Sequence, residues 1–361
     1  MLPKRDVIQG LRGWSIIFLL LFYSHNDTFP NGYVGADVMM IVSGFIAAYS
    51  FRRERVIDRT IIKDFYLRRA KRLLPLYYTG IFLTLVTCYL CFPISYQQMN
   101  LERSKTALLA ISNIKLTCFE NRYSIMLPSA EDAFGHNWLP CILMQWYLVA
   151  PVLFWIQRVL TDKDKLFFTG ISVASMVMYL FSRNMVAAYW LHSRLWQFCG
   201  GVMAALYLPR LALAGQTIFA HVCATQLYIT AAGSLLLYAG QKGESFSFLT
   251  NRVTIFLGNI SYPLYLAQWP IHCIAIYYSD ITPIFIDVGL CISLIVASFF
   301  YFQVSKVYRS MSSTATAGFY VVIVVITIVL SMKEVNYENE KLHYATITPY
   351  DAFYDIVNSI F

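Results

Sequence analysis

Ten apolar stretches divide the chain, near Trp14–Tyr23, Tyr33–Ser50, Leu74–Pro93, Leu139–Ile156, Leu166–Phe181, Leu195–Leu208, Thr217–Ala239, Phe256–Tyr278, Phe285–Phe302 and Phe319–Met332. A helix needs roughly 20 mostly apolar residues to cross a bilayer, and the shorter stretches would need tilt or local thinning. No internal repeat, low-complexity tract or long linker interrupts the pattern. It predicts an all-α, polytopic transmembrane helical bundle of about ten spans, forming one domain over residues 1–333. Residues 334–361 form a short acidic and aromatic tail. The first stretch lacks a small-residue cleavage pattern and the second follows almost at once, so it reads as a span rather than a leader.

Composition excludes a soluble domain. Of 361 residues, 58% are hydrophobic and only 13% charged, against about 25% charged in soluble folds. The 26 Phe and 26 Tyr suit interfacial belts as well as packing. The net charge of +8 does not point to nucleic acid, because its densest cluster lies beside an apolar stretch. Anionic headgroups or an anionic cofactor are the natural partners there. Cys88 and Cys91 form a CxxC pair at a span edge, which reads as packing, so no metal site is expected. A Cys91–Cys118 disulfide is compatible with sidedness and nothing more.

Charge placement orients the first spans. Residues 52–72 carry nine Lys/Arg against Glu54, Asp58 and Asp64, and Lys4 and Arg5 precede the first span. The positive-inside rule then puts the N-terminus in the cytosol and Ser24–Gly32 and residues 94–138 on the lumenal or outer side. The basic loops near Arg210, Lys242/Arg252 and Lys306/Arg309 cannot all be cytosolic on a simple span count. One segment is re-entrant, or one loop breaks the rule.

Ionisable groups inside apolar spans are functional candidates because lipid makes them costly. Arg12 and Asp37 are such residues, read either as polar partners shaping a site or as a structural ion pair between the first two spans. Arg68, Arg69, Lys71 and Arg72 directly precede the third span. Arg69 and Arg72 are three apart and share a helix face, so they could clamp a phosphate with forked donors. The plain alternative is a basic anchor touching lipid headgroups.

These residues, in this order, resemble the acyltransferase 3 family of multispanning membrane O-acyltransferases, in the form common in nematodes. Arg69-Ala70-Lys71-Arg72 matches the Arg-x-x-Arg motif that the family associates with its acyl donor. The segment His136-Asn137-Trp138-Leu139-Pro140 through Gln145-Trp146-Tyr147-Leu148 resembles the family's H-T-W-S-L-x-V-E-x-Q-F-Y-L. The run from Leu257-Gly258-Asn259 to Gln268-Trp269-Pro270 resembles L-G-x-I-S-Y-x-L-Y-L-x-H-W-P. A weaker match, Arg194-Leu195-Trp196-Gln197-Phe198 with Gly200-Gly201, also reads as close helix packing at glycines.

The resemblance implies transfer of an acyl group from acyl-CoA, a co-substrate rather than a resident cofactor, to a hydroxyl of a lipid or carbohydrate acceptor. It implies an integral protein of an endomembrane or the plasma membrane. Arg68, Arg69 and Arg72 would hold the donor, and His136, Trp138, Gln145 and Gln268 would line the substrate site. The chain departs from the family at three positions. The eleventh residue after Arg12, where the family carries its catalytic His, is Tyr23, and a phenol with pKa about 10 is a poor base at neutral pH. The family's glutamate falls on Leu143 and a further histidine on Gln268. His25 could serve as a displaced base or face water as a loop histidine, and His272 reads as an interior histidine.

Two functions therefore stand side by side. One is an acyltransferase using His25, with Tyr23, Arg12 and Asp37 around it. The other is a catalytically weakened relative, a pseudoenzyme that binds or moves acyl-CoA or lipophilic molecules. About 28 residues follow the last span, too few for the esterase-like domain that some such proteins append.

Overall fold

The computed structural model describes residues 5–51, 57–114, 131–160, 164–182, 189–206, 224–241, 246–279, 284–304 and 313–332. Arg52–Arg55, Cys118, the loops at Arg210, Lys242 and Lys306/Arg309, the start of the stretch at Thr217 and the tail lie outside the described residues.

In their described residues, all ten apolar stretches fall mainly on helices. The order is α1 (Arg5–Ser24), α2 (Val34–Phe51), α3 (Arg59–Cys91), α4 (Ile94–Leu108), α5 (Trp138–Leu160), α6 (Asp164–Phe181), α7 (Leu191–Leu206), α8 (Ala224–Gln241), α9 (Ser247–Thr250), α10 (Arg252–Ser279), α11 (Ile284–Phe299) and α12 (Ser313–Ser331). Short 3-10 turns, Pro30–Tyr33 and Gly135–Asn137, lead into α2 and α5, and α11 runs into a π turn at Phe300–Val304. Six of the described helical segments are long and apolar enough to cross a membrane. The chain is an all-α polytopic bundle.

Local chemistry sets several boundaries. At the N-cap of α3 the Asp58 carboxylate accepts the Arg59 amide at 2.7 Å and the Thr60 hydroxyl at 3.1 Å, satisfying one of the free amides that open a helix. With 33 residues, α3 is about 50 Å long, well beyond a hydrocarbon core of about 30 Å. Its basic first half therefore stands outside the hydrocarbon. The hydropathy pattern does not predict α4, which is more polar than its neighbours and packs on α3 and α12. Asn100 fastens it, donating to the Glu131 carbonyl and accepting the Ala133 amide at 2.8 and 2.9 Å.

Two glycine-lined seams hold the bundle. Along α1 and α10, a Cβ on Gly13 would strike the Thr254 carbonyl, and one on Gly258 the Gln9 carbonyl. Along α2 and α7, Gly44 meets Phe198 and Gly201 meets Ile41 in the same way. Small residues let backbones touch where lipid supplies no hydrophobic drive, so the packing expected at Gly200-Gly201 is present.

Helices α1 and α10 run in the same direction, with Gln9 at Gly258 and Tyr23 beside Tyr265 and Trp269. Trp269 donates to the Asp132 carbonyl at 2.8 Å, and His25 lies 3.5 Å from Asp287. The loop after α1, residues 131–137 and the start of α11 thus share one end of the bundle.

Candidate functional site

The arginines of the first and third spans meet. A cavity of about 30 Å³ is walled by Arg12 of α1, Met39 and Ser43 of α2, Arg72 and Leu73 of α3, Leu139, Pro140, Leu143 and Tyr147 of α5, and Ser261, Tyr262 and Tyr265 of α10. The Arg69 guanidinium carbon lies 4.7 Å from the Tyr147 ring centre and 5.3 Å from that of Phe65, a cation–π arrangement. Arg12, Arg69 and Arg72 all act electrostatically on Tyr147. Among the described residues, no acidic side chain lines the cavity. Leu143, at the position of the family's glutamate, is one of its walls, so an aliphatic group stands where a carboxylate would offset the arginines. Arg68, one residue before Arg69, is exposed. The cavity holds about two waters, so a larger anion would enter only if its walls moved.

Arg12 is not the partner of Asp37, contrary to one expectation. Asp37 Oδ1 accepts Arg194 Nη1 at 3.1 Å and Gln197 Nε2 at 2.8 Å. The pair is dry, with side-chain exposures of 0% and 2%. Helix face, not depth, explains the difference. A Cβ on Gly35 would strike the Ser15 carbonyl, so the first turn of α2 packs well down α1, close to the level of Arg12. Met39, about 200° around α2 from Asp37, lines the cavity with Arg12 and Ser43, while Asp37 turns to α7, where Arg194 lies in the first turn.

Toward the α1 end, Tyr23 is buried between Tyr265 and Trp269, with ring centres 6.4 and 5.0 Å away. Its hydroxyl is 3.4 Å from that of Tyr265, which donates to the His136 carbonyl at 2.7 Å. His136 is 1% exposed and neither ring nitrogen makes a hydrogen bond of normal geometry. Trp138 packs edge-on to Tyr189 at 5.2 Å, and its indole N–H acts on the Tyr23 hydroxyl without a hydrogen bond of normal geometry. Gln268 is buried with its amide nitrogen unpaired. These side chains are polar, dry and available to a ligand that reached them. Gln145 is differently placed. It exchanges hydrogen bonds with Asn113 at 2.9 and 2.7 Å and donates to the Ala110 carbonyl at 3.1 Å, tying the segment after α4 to α5.

His25 lies at the rim, its side chain 43% exposed and facing Asp287. Tyr23 itself fills the space at its own position. His272 lies beneath, within electrostatic reach of His25 and 5.3 Å from the Trp269 ring. The motifs flagged neither Ser43, Tyr147 and Tyr265 as cavity walls nor Asp287 as the His25 partner. Tyr147 and Tyr265 were nevertheless in view, since each falls inside a matched motif.

Three relatives share parts of this sequence. BcsY of Komagataeibacter xylinus, provisionally named a membrane-bound transacylase, is 24% identical over 294 residues, covering 74% of this chain and 72% of its own. SACOL0978 of Staphylococcus aureus strain COL, provisionally named an O-acetyltransferase, is 25% identical over 193 residues. The chain matches 49% of its own length there and only 30% of the staphylococcal protein. YrhL of Bacillus subtilis strain 168, provisionally named a peptidoglycan O-acetyltransferase, is 28% identical over 80 residues, which is 13% of its length. No family model and no solved structure matches the chain. With the bundle and its motifs, these low-identity relatives support an acyltransferase 3-like family of membrane proteins for this chain.

Proposed function

We propose that this chain is a membrane O-acyltransferase of the nematode-type acyltransferase 3 form. It takes acyl-CoA on the side of Arg68 and acylates a hydroxyl of a lipid or carbohydrate. The carrying observation is the convergence of Arg12, Arg69 and Arg72 on Tyr147 around a cavity with no acidic wall among the described residues. Guanidiniums bind phosphates with paired donors, which suits the phosphates of coenzyme A. In the reaction His25 takes the acceptor's hydroxyl proton and the oxygen bonds to the thioester carbonyl carbon. The carbon–sulfur bond then breaks, and the proton ends on the leaving thiol. The N-terminus would be cytosolic, in an endomembrane or the plasma membrane.

A second reading rests on its own observations. Tyr23 is packed in place of a base, and Leu143 lines the cavity in place of a carboxylate. These features favour a protein that binds acyl-CoA or another lipophilic anion without turning it over.

One experiment separates the two: acyl-CoA binding and turnover by purified protein in detergent. Each charged contact is worth about 1.5–3 kcal/mol, so Arg69→Ala/Arg72→Ala is expected to weaken acyl-CoA binding at least about tenfold. Under the first reading His25→Ala lowers turnover by about 10²–10⁴ and leaves binding intact. Absence of turnover in wild type and in Tyr23→His/Leu143→Glu, with arginine-dependent binding, would establish the second. Binding indifferent to the arginines would sink both.

A further inference from the structure

A second cavity lies across α10 from the arginines. It has a volume of about 300 Å³ and runs between α3, α10 and α11, with Leu76, Gly80 and Thr87 on one wall and Leu266, Ile271 and Ile292 among the others. From Leu76 to Thr87 it extends about 16 Å by helical rise, half the thickness of a hydrocarbon core of about 30 Å. Its length is therefore that of one leaflet.

Its two ends differ. On α10 the last lining residue, Ile271, precedes His272. On α11, Ile292 lies about one and a half turns from Asp287, whose carboxylate is 3.5 Å from His25 Nε2. The groove thus ends beneath the rim where His25, Asp287 and His272 gather. Its other end, at Leu76, lies one turn beyond Arg72.

Gly80 keeps the groove open. A Cβ there would meet only Leu266 side-chain atoms at 3.7 and 3.8 Å, ordinary van der Waals contact. At Gly13, Gly44, Gly201 and Gly258 the obstacle is backbone, and the glycine serves helix packing. At Gly80 it leaves room. The groove also opens sideways, since Leu83 and Ile292 are 40% and 45% exposed on a face that meets lipid in a membrane. A carbohydrate would gain nothing from such a wall, while an alkyl chain entering from the bilayer would bury its methylenes.

We propose that this groove holds the alkyl tail of a hydroxyl-bearing membrane lipid, whose hydroxyl sits at His25, and that this lipid is the acyl acceptor. The proposal rests on the transferase reading for the acceptor role but not for the binding site. The lipid oxygen gains the acyl group from the thioester, and coenzyme A leaves as the thiol carrying the proton. Helix α10 separates groove from arginine cavity, with Pro263, Leu266 and Ala267 on one and Ser261, Tyr262 and Tyr265 on the other. Filling the groove should therefore spare acyl-CoA binding.

The test uses the full chain in lipid nanodiscs and a long-chain monoacylglycerol with a photoreactive diazirine in its tail. Crosslinks are mapped by mass spectrometry on wild type, Gly80→Leu and Ile292→Trp, two fillers on different helices. The expected result is labelling of α3, α10 and α11, reduced at least fivefold by either filler and competed by unlabelled alcohol but not by its methyl ether. Acyl-CoA binding is retained in both variants. Competition by the ether as strong as by the alcohol would overturn the proposal, leaving an ordinary annular lipid. Labelling unaffected by both fillers, or absent from these helices, would overturn it equally. Labelling as expected with no acyl-CoA binding by wild type would uphold the lipid site and overturn the transferase reading instead.

Discussion

Asp37 and Arg194 form a buried ion pair between α2 and α7, and Gln197 adds a hydrogen bond to the same carboxylate oxygen. Removing one partner of such a pair leaves an uncompensated charge in a dry interior, at a cost of about 3–5 kcal/mol. Arg194→Met is therefore expected to lower the thermal unfolding midpoint in detergent sharply. Asp37→Leu/Arg194→Met should recover much of the loss, because apolar replacement of both partners removes the desolvation cost. Arg12→Met should show no such coupling to Asp37. Coupling with Arg12 in a double-mutant cycle would contradict the pairing. The sequence marks Asp37 as an ionisable residue in a span and Arg194 as part of a weak motif, but their 157-residue separation hides that they are partners. The same holds for Tyr147, visible as a motif position and invisible as the phenol around which three arginines gather.

At the scale of elements, hydropathy locates the helices and glycine locates their seams. Gly258 and Gly201 sit where a Cβ would strike the backbone of the neighbouring helix, whereas nothing lies within 4 Å of a Cβ on Gly170. Gly258→Val and Gly201→Val are expected to force α1 from α10 and α2 from α7, costing about 1–3 kcal/mol or more through overpacking. Gly170→Ala should be neutral or stabilise α6 by up to about 1 kcal/mol through helix propensity. Monodisperse yield after extraction and unfolding midpoints check the contrast, and equal tolerance at all three positions would refute the seam assignment. Helix α4 escaped the hydropathy reading because its cues are hydrogen bonds between Asn100 and residues some thirty positions on. Such bonds exist only once the chain has folded back.

Across the whole molecule, the basic half of α3 and the rim at His25 stand at opposite ends. Asp27 and Lys63 are both exposed, one in the loop after α1 and one on the basic half of α3. A membrane-impermeant maleimide should label Asp27→Cys and Lys63→Cys from opposite faces of a sealed vesicle, and labelling of both from one face would reverse that arrangement. The sequence alone was enough to place the apolar helices, since apolar length is a local property that lipid enforces on every span. It was enough too for the basic cluster before the third span, because a charge run is read without knowing its neighbours. Partnership between helices required the tertiary structure. Helical periodicity assigns a residue to a face of its own helix, but which other helix meets that face, and at what level, depends on packing. That packing separated Arg12 from Asp37, joined it to Arg69 and Arg72, and left an apolar groove on the far side of α10.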